Sequence, residues 1–240
     1  MNEIIAHITD LHLDEYFPFN NYTTARKRFD IVLKDIERKN ITQVVCTGDI
    51  GENEGVAYFF NKLIANNLTV TLGNHDTFIE TSKYYNFDVN SDSPKSYYSI
   101  LKEYYKFIYL DSSFGIIDNE QFRWLKKELN SSKPIIIFIH HPILGLNLKV
   151  DEIGKLTNRE ELISLLIESI IEITIYCGHY HMESKLTHKN ITQYITPAVS
   201  YQIKKKTDVV EIDTTVFGYR IIELEGTKQF SKIQLLSNAD

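Results

Sequence analysis

Short apolar runs closed by polar turns recur along this chain and predict its elements. Glu3 to Ile8 reads as a buried strand ending in Thr9-Asp10-Leu11-His12. Asn21 to Lys39 carries Phe29, Ile31, Val32, Leu33 and Ile36 at helical spacing with charges between them, which predicts an amphipathic helix. Thr42 to Cys46 predicts a second strand, ending in Thr47-Gly48-Asp49, and Val56 to Asn66 a second helix. Leu68 to Leu72 predicts a third strand. It runs into Gly73-Asn74-His75-Asp76, where the glycine lets the backbone turn sharply. Strand, helix, strand, helix, strand implies a parallel sheet whose strand ends share one edge. Asp10, Asp49 and Asn74 then project from that edge.

The second half repeats the pattern. Thr77 to Tyr105 is irregular and rich in tyrosine. A strand pair with aromatics on one face is preferred there over a loop whose rings stack on a base. Lys106 to Leu110 predicts a strand. Asp118, with Gln121 three residues on, predicts the capped start of a helix carrying Phe122, Trp124, Leu125 and Leu129. Pro134 to Ile139 predicts a buried strand ending in His140-His141-Pro142. Leu144 to Leu156 reads as a loop and Glu160 to Ile170 as a helix. Ile171 to Cys177 reads as a strand ending in Gly178-His179-Tyr180-His181. Beyond Asn190, runs at Gln193–Thr196, Val209–Asp213 and Tyr219–Leu224 predict antiparallel strands. Periodicity gives an α/β class. The absence of repeats and low-complexity linkers predicts one domain over 1–240.

Composition narrows the function classes. Of 240 residues, 43% are hydrophobic and 24% charged, the balance of a soluble globular chain. The net charge of −6 argues against a non-specific nucleic-acid surface. It leaves room for a small phosphorylated substrate, because metals supply positive charge locally. Cys46 and Cys177 lie in apolar runs and read as buried reduced thiols. The N-terminus lacks a basic stretch before a long apolar core, and no apolar run approaches ~18 residues. A cytoplasmic protein without a membrane span is expected. Lys204-Lys205-Lys206 reads as a solvated loop rather than a phosphate site.

The polar turns carry the chemistry. Asp10-x-His12 and His179-x-His181 each place two ligand-type side chains on one side of extended backbone. Asn74 offers a neutral oxygen, His75 a group titrating near neutrality, and Asp76 a carboxylate to orient that histidine. Six of the 8 histidines fall in such turns. A reading as ordinary polar loops has to place ligand chemistry at five strand ends by coincidence.

The ordered set Asp10-x-His12, Gly48-Asp49, Gly73-Asn74-His75-Asp76, His140-His141-Pro142 and Gly178-His179-x-His181 resembles the calcineurin-like metallophosphoesterase superfamily. The resemblance is closest to the bacterial class III 3′,5′-cyclic-AMP phosphodiesterases. Three softer stretches carry this closer match: Ile117 to Leu125, Leu156-Thr157-Asn158, and Thr196 to Gln202 with Phe217 to Arg220. Gly51 to Gly55 departs from that group's usual Asp-His-Ser-like turn. The resemblance implies a four-layer sandwich, two facing mixed β-sheets flanked by helices. It also implies one metal held by Asp10, His12, Asp49 and His181, and a second held by Asp49, Asn74, His140 and His179. Asp49 would bridge the ions, about 3.5–4 Å apart, and a water or hydroxide between them would attack phosphorus. The mixed donor set suits Mn²⁺, Fe or Zn²⁺. His75, oriented by Asp76, would protonate the leaving oxygen or stabilise the transition state, and His141 would sit behind the ligands. The expected substrate is a phosphodiester, foremost a cyclic nucleotide. Glycerophosphodiesterase, phosphomonoesterase, nuclease and silent binding module are the alternatives. The oligomeric state stays open, a homodimer included.

Overall fold

The computed structural model describes residues 2–21, 23–87 and 96–238. Strand β1 (Asn2–Ile8) is followed by α1 (Thr23–Arg38), β2 (Gln43–Cys46), α2 (Glu54–Lys62), β3 (Asn67–Val70) and the short α3 (Phe78–Thr81). A second series runs β4 (Tyr98–Leu101), β5 (Lys106–Tyr109), α4 (Asn119–Glu128), β6 (Ile135–Phe138), α5 (Lys149–Gly154), α6 (Arg159–Glu168) and β7 (Ile173–Cys177). The chain closes with β8 (Ser184–His188), β9 (Ile191–Ile195), β10 (Gln202–Ile203), β11 (Ile212–Asp213), β12 (Val216–Glu225) and β13 (Lys228–Ser237).

The strands form two large mixed sheets, ordered β13-β12-β1-β2-β3 and β4-β5-β6-β7-β9-β8. Within them β1, β2 and β3 are parallel, as are β5, β6, β7 and β9. The alternation of side chains explains the layers. Ala6 and Ile8 of β1 pack with Phe29 and Val32 of α1 and Phe59 of α2 on the outer face of the first sheet. Ile5, one residue out of phase, joins Phe107, Tyr109, Ile136 and Phe138 between the sheets. Ile135, Ile137 and Ile139 face the other way, onto Leu125 of α4 and Leu162 and Leu166 of α6. The result is helix, sheet, sheet, helix, and the run Ile135 to Phe138 is apolar throughout because both its faces are covered.

The structure departs from the sequence expectation in several places. The Leu144–Leu156 segment holds α5, whose six residues are too few for a helical period to show. Only Ile212–Asp213 of the Val209–Asp213 run is a strand, paired with β10, and Val209 and Val210 are exposed. The two-residue β10 is additional, as are strands β8 and β13. The latter two lie at sheet edges, where mixed polarity hides the alternation. Among the described residues between Thr77 and Tyr105 there is one short helix and one strand. Strand β4 pairs antiparallel with β5 rather than within the segment, and Tyr98 stacks on Tyr109 at 4.7 Å. Residues 88–95 of this segment lie outside the described residues. Cys46 and Cys177 are buried free thiols.

Candidate metal centre

The carboxyl ends of β1, β2 and β3 meet those of β6 and β7 along one edge of the sandwich. The turns there touch by backbone: Asp10 N donates to Gly48 O at 3.0 Å, and Gly178 N donates to His140 O at 3.0 Å. Such proximity leaves no room for side chains at two of the turns. A Cβ on Gly73 would lie 2.2 Å from Asp49 Oδ1, and one on Gly178 would lie 2.0 Å from Thr9 Oγ1. Gly73 is therefore required by close approach rather than by a left-handed conformation. The ligand-type residues of these turns that adopt positive φ are Asp10, His12, Asp49, His179 and His181, at 54°, 48°, 52°, 68° and 48°. Sterics disfavour that region for side chains with a Cβ, so these turns are strained.

The side chains fall into two sets. In the first, His12 Nε2 faces His181 Nε2 at 3.1 Å, with Asp10 Oδ1 3.5 Å from His181 Nε2. In the second, His140 Nε2 faces His179 Nδ1 at 3.1 Å and Asn74 Oδ1 at 3.1 Å. Asp49 Oδ2 reaches both sets, 3.7 Å from His12 Nε2 and 3.3 Å from His140 Nε2. Its other oxygen is held by the His75 amide at 2.9 Å. Both Asp10 oxygens accept from the His179 amide at 3.0 Å, which ties the first sheet's carboxylate to the second sheet's turn.

The distal nitrogens decide what the facing nitrogens are. His140 Nδ1 contacts Thr47 O at 2.8 Å, His179 Nε2 contacts Gly154 O at 2.9 Å, and His181 Nδ1 contacts Tyr201 O at 3.0 Å. A carbonyl oxygen only accepts, so each of these nitrogens carries the hydrogen. His12 Nδ1 likewise donates to Glu15 Oε1 at 2.8 Å. In the neutral rings the nitrogens that face each other are then all lone pairs. Two lone pairs at 3.1 Å need a cation between them, a proton or a metal ion. The titration behaviour agrees. Burial works against charge at His140, but Asp49 and Asp10 outweigh it and raise it to about 9. Burial and the adjacent His140 push His179 down to about 3. At His12 burial is outweighed by the hydrogen bond to Glu15 and the charge of Asp49, which raise it, and burial with the adjacent His12 lowers His181. Burial, reinforced by the charge on Asp49, pushes Asp10 and Asp76 up to about 6. Buried carboxylates beside paired imidazole lone pairs are a donor set that fits divalent or trivalent metal ions of intermediate softness.

The expectation for Asp76 is corrected. Its Oδ2 accepts from the amides of Asp49 at 2.7 Å and Gly73 at 2.9 Å, and its Oδ1 from that of Ile50 at 2.9 Å. The carboxylate braces the turns after β2 and β3 and does not orient His75. The group facing His75 is Glu15, with Oε1 3.3 Å from His75 Nδ1. This contact, more than any other influence, raises His75 to about 9. Nothing in the sequence marked Glu15 beyond its place three residues after His12. His141 is buried behind the second set, its Nδ1 2.9 Å from Ser112 Oγ and its ring 4.1 Å from that of His179. His7, outside the turns, is buried between the sheets with Thr196 and Thr47 as partners.

Comparison with known proteins places this edge. The calcineurin-like phosphoesterase profile matches residues 4–183. A protein of Fibrobacter succinogenes named a probable cyclic nucleotide phosphodiesterase is 24% identical over 91% of this chain and 88% of its own. The 3′,5′-cyclic adenosine monophosphate phosphodiesterase CpdA of Haemophilus influenzae is 27% identical over 92% of this chain and 85% of its own. A dimetal phosphatase from Danio rerio has the same fold, with a TM-score of 0.67 at 13% identity over 98% of both chains. No helix among the described residues is long and apolar enough to cross a membrane. With the profile spanning the two ligand sets and most of the chain, this protein belongs to the calcineurin-like phosphoesterase family and is a phosphoric ester hydrolase.

Proposed function

We propose that this protein is a two-metal phosphodiesterase whose substrate is a 3′,5′-cyclic nucleotide. Asp10, His12, Asp49 and His181 would hold one ion, and Asp49, Asn74, His140 and His179 the other. The observation that carries the reading is the single Asp49 Oδ2 within 3.7 Å of a facing nitrogen in each set. Bound there, the ions would supply Lewis acidity and an activated water at neutral pH.

The chain's own groups do the rest. The carbonyls of Thr47, Gly154 and Tyr201 fix the tautomers of His140, His179 and His181, so their lone pairs stay aimed inward. The backbone amides of His75 and His179 hold the Asp49 and Asp10 carboxylates in place. His75, with 43% of its side chain exposed beside this cluster, is favoured in its protonated form by Glu15, which stabilises the charged ring. It would deliver that proton to the departing ester oxygen. The names of the relatives from Fibrobacter and Haemophilus support a cyclic nucleotide as substrate.

The test is a panel of cyclic AMP, bis(p-nitrophenyl) phosphate, a glycerophosphodiester, a phosphomonoester and DNA, with Mn²⁺ added. Cyclic AMP is expected to turn over fastest. Asn74→Ala should lose metal and activity together, and His75→Ala should keep metal and lose turnover. Hydrolysis of monoesters alone, or equal rates in all three proteins, would refute the proposal.

A further inference from the structure

The turn that follows His12 carries an aromatic side chain for which neither the hydrophobic core nor the metal centre has a use. Phe17 is 63% exposed. Its backbone is nonetheless anchored. The amides of Phe19 and Asn20 donate to Tyr16 O at 2.8 and 2.9 Å. Asp14, at the start of the turn, takes both Nε and Nη2 of Arg26, whose guanidinium lies over the Tyr58 ring at 4.5 Å. A large exposed ring on a braced turn forgoes the burial free energy that an aromatic side chain usually gains.

The direction in which the rings run gives the occupant. The Tyr201 ring lies 4.3 Å from that of His181 and 5.8 Å from that of His12. Phe17 and Phe19 each meet Tyr201 edge-on at 6.1 Å. Aromatic rings therefore stand in one wall from the first ligand set outward, with Tyr201 buried within it and Phe17 exposed at its end. A phosphate at the centre would place its organic group along this wall. We infer that the Phe17–Tyr201 corner is a binding subsite for a planar aromatic ring attached to the phosphate through a short linker, foremost the base of a nucleoside phosphate. The inference rests on the phosphoester reading given above and adds to it the side chains that would receive the base. Stacking suits the task because every base has a π-face, and it asks for no hydrogen-bonding pattern.

Phe17 is the residue to vary, because the Tyr201 ring also packs against the rings of His181 and His12. The manganese-loaded protein would be titrated calorimetrically with adenosine 5′-monophosphate and with ribose 5-phosphate, which share the phosphate and the sugar. The wild type is expected to prefer the adenosine compound by about tenfold, the scale of one base–aromatic stack. Phe17→Ala should cut that preference to below about threefold, and Phe17→Trp should retain it. A preference that survives Phe17→Ala, or that is absent in the wild type while ribose 5-phosphate still binds, would overturn the subsite and leave the phosphoester reading intact. Failure of both compounds to bind would overturn both.

Discussion

Glu15 Oε1 lies 3.3 Å from Nδ1 of His75, and the same oxygen accepts from Nδ1 of His12 at 2.8 Å. One carboxylate thus aims a proposed metal ligand and holds the charge on the proposed acid. Burial raises the Glu15 carboxyl, but the two histidines outweigh it and hold it down at about 2. Glu15→Gln keeps an acceptor for His12 and removes the charge that favours protonated His75. Turnover should fall about tenfold with metal content unchanged, against about 100-fold or more for His75→Ala. Steady-state kinetics with metal analysis checks this. In the His75→Ala background, adding Glu15→Gln should cost little further, since the two residues act through one proton.

Asp76 predicts a different phenotype from the one its sequence neighbourhood suggests. Its oxygens take three backbone amides, from Asp49, Ile50 and Gly73. In Asp76→Asn one oxygen becomes an NH₂ that meets a donor, leaving at least one buried amide unpaired. The cost should be about 1–3 kcal/mol of stability, read from urea unfolding of the metal-free protein. A variant that keeps its stability and loses only turnover would restore the orienting role.

Each ligand set draws on both sheets. Asp10 and His12 follow β1 and meet His181 after β7, while Asp49 and Asn74 of the first sheet meet His140 and His179 of the second. Metal binding should therefore stabilise the packing of the sheets. At a free metal concentration about 100 times Kd the gain is about 2.7 kcal/mol. For a chain of this length that raises Tm by about 5–10 °C, measured by calorimetry with Mn²⁺ and then with chelator. Asn74→Ala should show a smaller rise.

Acid stability is set partly by Asp35, far from the centre. Its buried side chain would be raised by burial, but hydrogen bonds from Lys39, Arg38 and Tyr219 outweigh this and lower it. A carboxylate depressed in the folded state contributes stability above its unfolded pKa of about 3.9, and that contribution fades as pH falls through the lower folded value. Asp35→Asn should thus cost about 1–3 kcal/mol at pH 7. The difference from wild type should shrink as the pH falls below about 4. A difference independent of pH would assign the loss to packing instead.

The strand-end turns were legible in the sequence because their Asp, Asn and His residues recur at short, fixed spacing directly after apolar runs. The main strands and helices were legible because apolar period and length agree, as in Ile135 to Phe138. Glu15 was not, since its partners His12 and His75 come together only when the turns after β1 and β3 meet. Asp76 misled because adjacency to His75 suggested a side-chain partner, whereas the tight turn at Gly73 points the carboxylate back at the amides. Phe17 carried no signal either, because an exposed aromatic ring gains meaning only from what stands beside it.

The left-handed backbone at Asp10, His12, Asp49, His179 and His181 sets folding against function. Glycine adopts that conformation without the steric conflict of a Cβ, so for the metal-free chain it would relieve strain at each of these positions. His12→Gly is accordingly less harmful to the apoprotein than His12→Ala, although both remove the imidazole. Selection for heat resistance of the metal-free chain alone would favour glycine at a position such as His12, whose side chain the proposed metal centre needs.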